Sequence, residues 1–384
     1  MSGRNVTTIR MMFLSKQGGN HMEKLSRLRN LLTRRKIDAL LVSQPENRRY
    51  LSGYSTTDSS IAESSGVLLV PRRGTPFLFT DSRFELHARG EAIGFEVVLY
   101  SKGLLGLLKK MLPDLGIKRL GFESHAVLYS SASKLLDMTG RMGIEALPVV
   151  GLVEKMRVRK TREEIDKIEK SVQLNEAVFQ EVFATLRAGQ TEREVAMRLE
   201  NAMRANGAER PSFETIVAGG PNGALPHAVP GPRPLRQGEP IVIDMGLILD
   251  GYCSDMTRTV VLGTPDEKTV ALFRIVRQAQ LAATSAIRAG ITGKEADRAA
   301  RDVIRRAGLG ENFGHGLGHG VGLAVHEAPS LNRRNGRKLH TGMIITIEPG
   351  VYLPGWGGIR LENMGVVEDD GCRVLNRDTT MLDL

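Results

Sequence analysis

Four acidic residues follow or interrupt apolar runs in the C-terminal two thirds of the chain. They are Asp244 in "PIVIDMG", Asp255 in "YCSDMTR", Glu348 in "IITIEPG" and Glu362 in "GIRLENM". A buried carboxylate without a partner is costly, and four in one cleft would raise one another's pKa unless cations neutralised them. Two divalent metal ions and an imidazole would do so, and such a donor set suits Mn²⁺, Co²⁺ or Zn²⁺.

A glycine-rich stretch can supply the imidazole. "NFGHGLGHGVGLAVHEAP", residues 312–329, holds His315, His319 and His326 among five glycines. It matches neither a P-loop nor a dinucleotide-binding fingerprint, so the glycines are better explained as letting the backbone approach metals and substrate. A further histidine, His227, lies in the Pro/Gly-rich segment 219–234.

Hairpins must bring the acids together. Asp250-Gly251 is a turn signal between two apolar runs, and a two-residue turn there makes Asp244 and Asp255 diagonal neighbours on one face, roughly 7–8 Å apart at Cβ. A bulge would move one acid to the opposite face. In "GGIRLENMGVV" the alternation puts Arg360 and Glu362 on a common face.

An internal repeat relates the two pairs of acids. "LRAGQTEREV" (186–195) recurs as "IRAGITGKEA" (287–296), and the register persists to pair His227 with His326. Each half is expected to contain two helices, a strand and a hairpin. Two α+β units around a pseudo-twofold axis would leave a cleft between them, where ligands commonly bind.

The domain plan follows from these patterns. Residues 1–21 are expected to be a disordered or extended tail, and residues 22–150 alternate strand-like runs ("DALLVSQP", "GVLLVPR", "PFLFTD") with helical ones, which predicts a small α/β domain. Residues 151–384 form the second domain. There Thr161 and Glu164 predict a capping box at the start of a long helix.

Charge and composition exclude several function classes. The net charge is +10, but residues 1–36 carry nine Lys/Arg against Glu23, leaving about +2 for the rest. No basic stripe with interleaved aromatics predicts nucleic-acid binding, and no apolar run is long enough to span a membrane. The two cysteines suggest a reducing cytoplasm rather than a disulfide framework.

Taken in order, the motifs resemble a known family. D-M-G, S-D-M-T-R, G-H-G-L-G-H-G-V-G-L-x-V-H-E, T-I-E-P-G and G-I-R-L-E-N are similar to those of the pita-bread metallopeptidases, which include aminopeptidase P and prolidase. "NRRYLSGY" (47–54) and "DSRF" (81–84) resemble the creatinase-type N-terminal domain of that family. The resemblance implies an α/β N-terminal domain followed by an α+β pita-bread catalytic domain with an internal pseudo-twofold repeat.

The resemblance also implies roles for individual residues. Asp255 and Glu362 would bridge two metal ions, and the full ligand set would be Asp244, Asp255, His319, Glu348 and Glu362. Glu348 would also act as general acid and base, while His326 and His227 would donate to the tetrahedral oxyanion. His315 and Arg360 would bind substrate. Asn363 departs from the Asp found in many relatives and could alter the charge around the ligands.

The function implied is metal-dependent removal of an N-terminal residue that precedes proline. The first expectation is an Xaa-Pro aminopeptidase with two divalent ions, Mn²⁺ before Co²⁺ or Zn²⁺, acting as a homodimer on peptides with proline second. The alternative is an Xaa-Pro dipeptidase restricted to dipeptides. Two further interpretations are a creatinase-like amidinohydrolase, although that branch lacks the complete ligand set present here, and a non-catalytic binding protein.

Overall fold

The computed structural model describes residues 21–381 and divides into two units. The first unit ends at Met156 and the second begins at Arg157. The tail expected over residues 1–21 lies outside the described residues except for residue 21, which is helical. None of the described helices is long and apolar enough to cross a membrane.

A six-stranded mixed sheet forms the centre of the first unit. Its strands are β1 (Ala39–Val42), β2 (Val67–Pro71), β3 (Phe77–Thr80), β4 (Glu96–Leu99), β5 (Arg119–Glu123) and β6 (Glu145–Val149). Its helices are α1 (residues 21–34), α2 (Pro45–Ser52), α3 (Glu85–Glu91), α4 (Leu104–Asp114) and α5 (Tyr129–Arg141).

The strands of this sheet lie in the order β4-β3-β2-β1-β5-β6. β1 and β2 are buried along their whole length, as expected for apolar runs covered by helices. α4 and α5 contribute Leu108, Leu112 and Leu135 to the core against the sheet. The predicted α/β layer and its three apolar strands, now β1, β2 and β3, are confirmed.

Paired helices and short strands alternate in the second unit. Its helices are α7 (Arg162–Phe183), α8 (Glu192–Ala205), α9 (Glu267–Ala286) and α10 (Gly293–Arg306), whereas the short α6 (Glu154–Arg157) lies at the division between the units. The strands of its first half are β7 (Arg210–Pro211), β8 (Ile216–Gly219), β9 (Pro240–Met245), β10 (Leu247–Leu249), β11 (Tyr252–Cys253) and β12 (Met256–Val261). Those of its second half are β13 (Gly318–Gly320), β14 (Glu327–Leu331), β15 (Ile344–Ile347), β16 (Gly350–Leu353), β17 (Gly357–Arg360), β18 (Asn363–Val367) and β19 (Cys372–Val374).

The helix starts repeat from one half to the other. Capping boxes begin α7 at Thr161, α8 at Thr191 and α10 at Thr292, each completed by a glutamate three residues later. This confirms the predicted cap at Thr161. Each half also has its own apolar core, in which α7 and α8 pack with β9 and β12, and α9 and α10 pack with β15 and β17. The fold is thus the predicted internally repeated α+β unit.

The hairpin that carries the first two acids has the predicted register. Asp250 and Gly251 have φ of 50° and 85°, so both lie in the left-handed region required by a two-residue turn. Across β9 and β12, Asp244 pairs with Thr257. Asp244 and Asp255 are therefore diagonal neighbours without an intervening bulge, and the exposed Asp250 serves the turn.

Candidate active site

One cavity of about 490 Å³ in the second unit contains every site residue that the sequence singled out. These are His227, Asp244, Asp255, His315, His319, His326, Glu348, Arg360 and Glu362. Apolar side chains, among them Phe213, Ile216 and Val229, complete the wall. The two repeats therefore place their conspicuous polar residues around a single space.

His319 lies at the centre of the acidic cluster. Its Nε2 is 3.6 Å from Asp255 Oδ2 and 3.4 Å from Glu348 Oε1. Its Nδ1 is 3.1 Å from the carbonyl of Gly320, which requires Nδ1 to carry the proton. Burial lowers the pKa of His319 to about 4, so the ring is neutral and its Nε2 lone pair faces carboxylates. That arrangement is repulsive between an imidazole lone pair and ionised carboxylates, and a cation or a proton between them removes the repulsion.

Potential ligand atoms converge on this point. One ligand atom each from Asp255, His319 and Glu362 lies within 4.8 Å of the other two. Asp244 Oδ2 accepts a hydrogen bond from Arg360 Nη2 at 2.7 Å, and Glu362 Oε2 accepts one from the Thr257 hydroxyl at 2.7 Å. The second oxygens, Asp244 Oδ1 and Glu362 Oε1, are buried and accept no hydrogen bond from the described residues. Oriented carboxylates with one unused oxygen are typical of metal ligands.

The electrostatics point the same way. Burial raises the pKa of Asp255 and of Glu362 well above the usual range, and the neighbouring carboxylates raise both further. Burial also raises the pKa of Glu348 to about 8. The ionised forms of these groups lack a compensating cation, apart from Arg360. The donor set of hard oxygens with one imidazole therefore fits divalent metal ions.

Arg360 forms part of the cavity wall. Its guanidinium donates to Asp244 Oδ2, to the Thr257 hydroxyl at 3.1 Å, to the Tyr352 hydroxyl at 2.9 Å and to the Pro226 carbonyl at 3.2 Å. The sequence predicted that it would face substrate. Three of these acceptors belong to the first half and the Tyr352 hydroxyl belongs to the second, so the side chain bonds four protein oxygens while it lines the cavity, and its contact with substrate stays a prediction.

Tyr352 is a site residue that the sequence did not reveal. Its hydroxyl joins Arg360 to His315, whose Nε2 lies 2.8 Å away. His315 Nδ1 donates to the Gly316 carbonyl at 2.8 Å, so Nε2 accepts from the tyrosine. Burial lowers the pKa of His315 to about 4 and raises that of Tyr352 to about 12. The only available signal was position: Tyr352 follows Glu348 by four residues in an alternating segment.

His326 and His227 lie toward the open side. The His326 side chain is partly exposed, and its ring centroid is 4.3 Å from that of His319. Burial lowers the pKa of His326, and His227 lowers it further while Asp244 opposes the shift. His227 is exposed on the cavity edge. The two histidines that the internal repeat pairs therefore both line the same cavity.

Glu327 is a second residue whose contacts the sequence did not reveal. Its carboxylate accepts from Arg157 Nη2 at 2.5 Å and from Lys160 Nζ at 2.7 Å, and all three side chains are buried. In the β13–β14 pair Glu327 lies opposite Gly320. The ion cluster therefore anchors the hairpin that presents His319 on one side and His326 on the other.

Comparisons with known proteins agree with these observations. The model of metallopeptidase family M24 matches residues 166–369, and that of the creatinase/prolidase N-terminal domain matches residues 24–159. The chain is 34% identical to an Xaa-Pro dipeptidase of Pyrococcus horikoshii, covering 92% of this chain and 97% of that protein.

Two solved structures show the same likeness. An Xaa-Pro dipeptidase from Bacillus anthracis superposes with a TM-score of 0.87 at 38% identity, covering 94% of this chain and 98% of the other. An X-Pro aminopeptidase from Thermotoga maritima superposes with a TM-score of 0.80 at 38% identity, covering 88% and 95%. The family resemblance inferred from the motifs is confirmed.

Proposed function

Because this chain belongs to metallopeptidase family M24 and is a metallo-exopeptidase, we propose that it is an Xaa-Pro dipeptidase that uses two divalent ions, Mn²⁺ first among them. From the sequence alone, an Xaa-Pro aminopeptidase is the first expectation and an Xaa-Pro dipeptidase is the alternative. The similarity to the dipeptidases of Pyrococcus horikoshii and Bacillus anthracis supports the second expectation better.

The observation that carries this proposal is the convergence of Asp255, Glu348 and Glu362 on the His319 imidazole, in a cavity that Asp244 also lines. The metal ions would be held by Asp244, Asp255, His319, Glu348 and Glu362. When bound, such ions neutralise the carboxylates, polarise the scissile carbonyl and make water a stronger nucleophile near neutral pH. The protein supplies buried carboxyl groups and a neutral imidazole at these positions, and bound cations would favour the ionised form of the carboxyls.

Glu348 is the proposed proton carrier. The Thr346 hydroxyl donates to Glu348 Oε1 at 3.1 Å and holds that carboxyl toward the cluster. From this position Glu348 would accept a proton from the attacking water and pass it to the departing proline nitrogen. The nitrogen of an Xaa-Pro bond leaves as a secondary amine and requires that proton.

Two histidines would act on the carbonyl oxygen. His326 is kept neutral by burial, and a neutral ring can present an N–H to the developing oxyanion. His227, on the opposite half, would be the second donor. His315 is tied to Tyr352 and is proposed to bound the substrate space, while the apolar wall formed by Phe213 and Ile216 offers contacts for a pyrrolidine ring.

One observation favours a second candidate, an Xaa-Pro aminopeptidase for longer peptides. A dipeptide brings a free carboxylate into the site, where a cation would normally receive it. Among the described residues that line the cavity, Arg360 is the sole Lys or Arg, and its guanidinium already donates to four protein oxygens. The histidines would then have to bind that carboxylate.

Substrate length separates the two candidates. The protein loaded with Mn²⁺ is expected to hydrolyse Ala-Pro with a kcat/KM at least roughly tenfold above that for Ala-Pro-Ala, and to leave Ala-Ala intact. The reverse ratio would establish the aminopeptidase. Asp255→Ala is the matched inactive control, and replacing Mn²⁺ by Co²⁺ or Zn²⁺ ranks the metals. A protein that binds metal yet cleaves none of these peptides would overturn both candidates.

The quaternary state is a further part of the proposal. A homodimer is expected from the family resemblance. Size-exclusion chromatography with light scattering tests it directly, and a monomeric mass for the active protein would contradict it.

A further inference from the structure

The His227-bearing edge of the cavity is a loop whose two ends are tied to one side chain. We call residues 219–231 the rim loop. Its tip exposes Leu225 and Val229, which are 60% and 76% accessible, on either side of His227. A loop with an exposed apolar tip needs an anchor elsewhere if its histidine is to keep a defined position.

That anchor is Glu192, the first residue of α8. Glu192 Oε1 accepts from the backbone N–H of Gly219 at 2.9 Å, and Oε2 accepts from the backbone N–H of Gly231 at 3.1 Å. The side-chain amide of Asn222 donates to the same carboxylate at 3.0 Å. One carboxylate thus closes the rim loop at its beginning, in its first turn and at its end.

Burying the Glu192 carboxylate costs free energy, and this cost indicates a specific role. Glu192 is fully buried, and its hydrogen-bond partners among the described residues are these three N–H donors rather than a cation. Its place in the first turn of α8 stabilises the negative charge. Even so, a well-packed apolar residue commonly stabilises a fold better than a buried charge, whereas the charge can specify one conformation.

The second half of the unit has the same backbone arrangement. Arg193 N–H donates to the Gly231 carbonyl at 3.1 Å, as Lys294 N–H donates to the Asn335 carbonyl at 2.8 Å. One residue earlier, Glu192 N–H and Gly293 N–H donate to the Arg233 and Arg337 carbonyls. The helix positions 192 and 293 therefore correspond, and so do the loop positions 231 and 335.

The side chains at these matched positions are exchanged. The first half has Glu192 on the helix and Gly231 on the loop, whereas the second has Gly293 on the helix and Asn335 on the loop. Asn335 Nδ2 donates to the Ser330 carbonyl at 2.5 Å, on the strand that follows His326. A Cβ at Gly293 would lie 2.5 Å from that carbonyl oxygen, so the helix position must be glycine there.

We propose that Glu192 is a positioning residue that holds the rim loop so that His227 faces the cavity, the counterpart of Asn335, whose side chain bonds the strand that follows His326. The expected effect of Glu192 on turnover rests on the proposed peptidase function, in which His227 donates a hydrogen bond to substrate. The part that concerns the loop does not depend on any substrate.

A double-mutant cycle tests the link to His227. Glu192→Gln is expected to lower kcat/KM for the cleaved Xaa-Pro peptide about tenfold, because the amide nitrogen faces other N–H donors. Added to His227→Ala, it should cause no further loss, since both changes remove the same contact. Glu194→Gln, on the same helix but exposed in its capping box, is the matched control and should retain activity. Losses that multiply independently would overturn the proposal.

Hydrogen exchange tests the loop without any substrate. In Glu192→Gln the amides of Gly219 and Gly231 should exchange at least tenfold faster, while the amide of Leu317 and the bound metal stay unchanged. If the protein cleaves no Xaa-Pro peptide but these amides respond as expected, the peptidase proposal fails and the anchor stands. If the amides do not respond, the anchor fails whatever the activity.

The exchanged side chains allow a rescue experiment. Glu192→Gly should release the loop, and adding Gly231→Asn should restore slow exchange at Gly219 in part by reproducing the second half. A Cβ at position 231 has its nearest neighbour, the Glu192 carboxylate, at 3.5 Å, so asparagine has room once that side chain is gone. Exchange no slower in the double variant than in Glu192→Gly would contradict the equivalence.

Discussion

Arg360 Nη2 donates to Asp244 Oδ2 across 2.7 Å, and the pair joins β17 of the second half to β9, the central strand of a three-stranded sheet in the first half. Both side chains are largely buried, at 3% and 14% exposure. The contact fixes one oxygen of Asp244 and leaves its partner, Oδ1, free inside the cavity. Arg360 therefore orients a proposed metal ligand and lowers the electrostatic cost of the acidic cluster.

Replacing this arginine should affect both metal binding and stability. Lysine keeps the charge, but it cannot bond Asp244, Tyr352 and Thr257 at once, because it lacks the planar fork of donors. We expect Arg360→Lys to lower kcat/KM roughly 100-fold and the free energy of unfolding by about 3 kcal/mol. Peptidase assays and urea denaturation measure these effects. Arg306→Lys, at an exposed helix end, is the control; equal effects of the two substitutions would contradict the expectation.

The nine residues that the sequence singled out lie around one cavity because local patterns encode their placement. The turn at Asp250-Gly251 determines a two-residue register, and that register alone makes Asp244 and Asp255 neighbours on one face. The Gly/His stretch and the two later acids lie at equivalent places of a detectable repeat. All nine residues consequently line one cavity.

The contacts between the halves could not be predicted in the same way. Arg360 and Asp244 are 116 residues apart, and the alternation of β17 says which face the arginine occupies but not what lies opposite. Tyr352 and Glu192 bond partners within their own halves, but those partners also belong to other segments of the chain. Such contacts depend on how separate segments pack against one another, which no local periodicity records.

Removing one acid from the cluster should have opposite effects with and without metal. Asp255→Asn is expected to lower activity at least about 10³-fold, because it removes a proposed metal ligand. In the metal-free protein it should raise the free energy of unfolding by about 1–2 kcal/mol, because one of several mutually repelling buried carboxyls becomes neutral. Thermal unfolding of both proteins with EDTA, and again with Mn²⁺, measures this. A metal-free variant less stable than the metal-free parent would contradict it.

Tyr352 offers a change that should spare the metal ligands. Tyr352→Phe removes the hydroxyl that joins Arg360 to His315, leaving a ring nitrogen and one guanidinium N–H without that partner. We expect kcat to fall about tenfold to 100-fold, with metal content by atomic absorption unchanged. Because burial raises the pKa of this tyrosine to about 12, the loss should be constant from pH 6 to 9. A loss that appears only at alkaline pH would contradict the assigned role.

Glu123, in the first unit, should make stability depend on pH. Burial raises its pKa from 4.5 to about 7, against hydrogen bonds from Gln44 and Asn47 that lower it. Between pH 4.5 and 7 the folded chain keeps a proton on Glu123 that the unfolded chain has released. The contribution of Glu123 to the free energy of unfolding is therefore greatest below pH 4.5 and decreases as the pH rises to 7. The shift corresponds to about 3 kcal/mol. Denaturant unfolding of the full chain and of Glu123→Gln at pH 4.5, 6 and 7.5 isolates this group, because the glutamine cannot titrate. If the difference in free energy of unfolding between the two proteins stays constant across that range, Glu123 does not titrate as proposed.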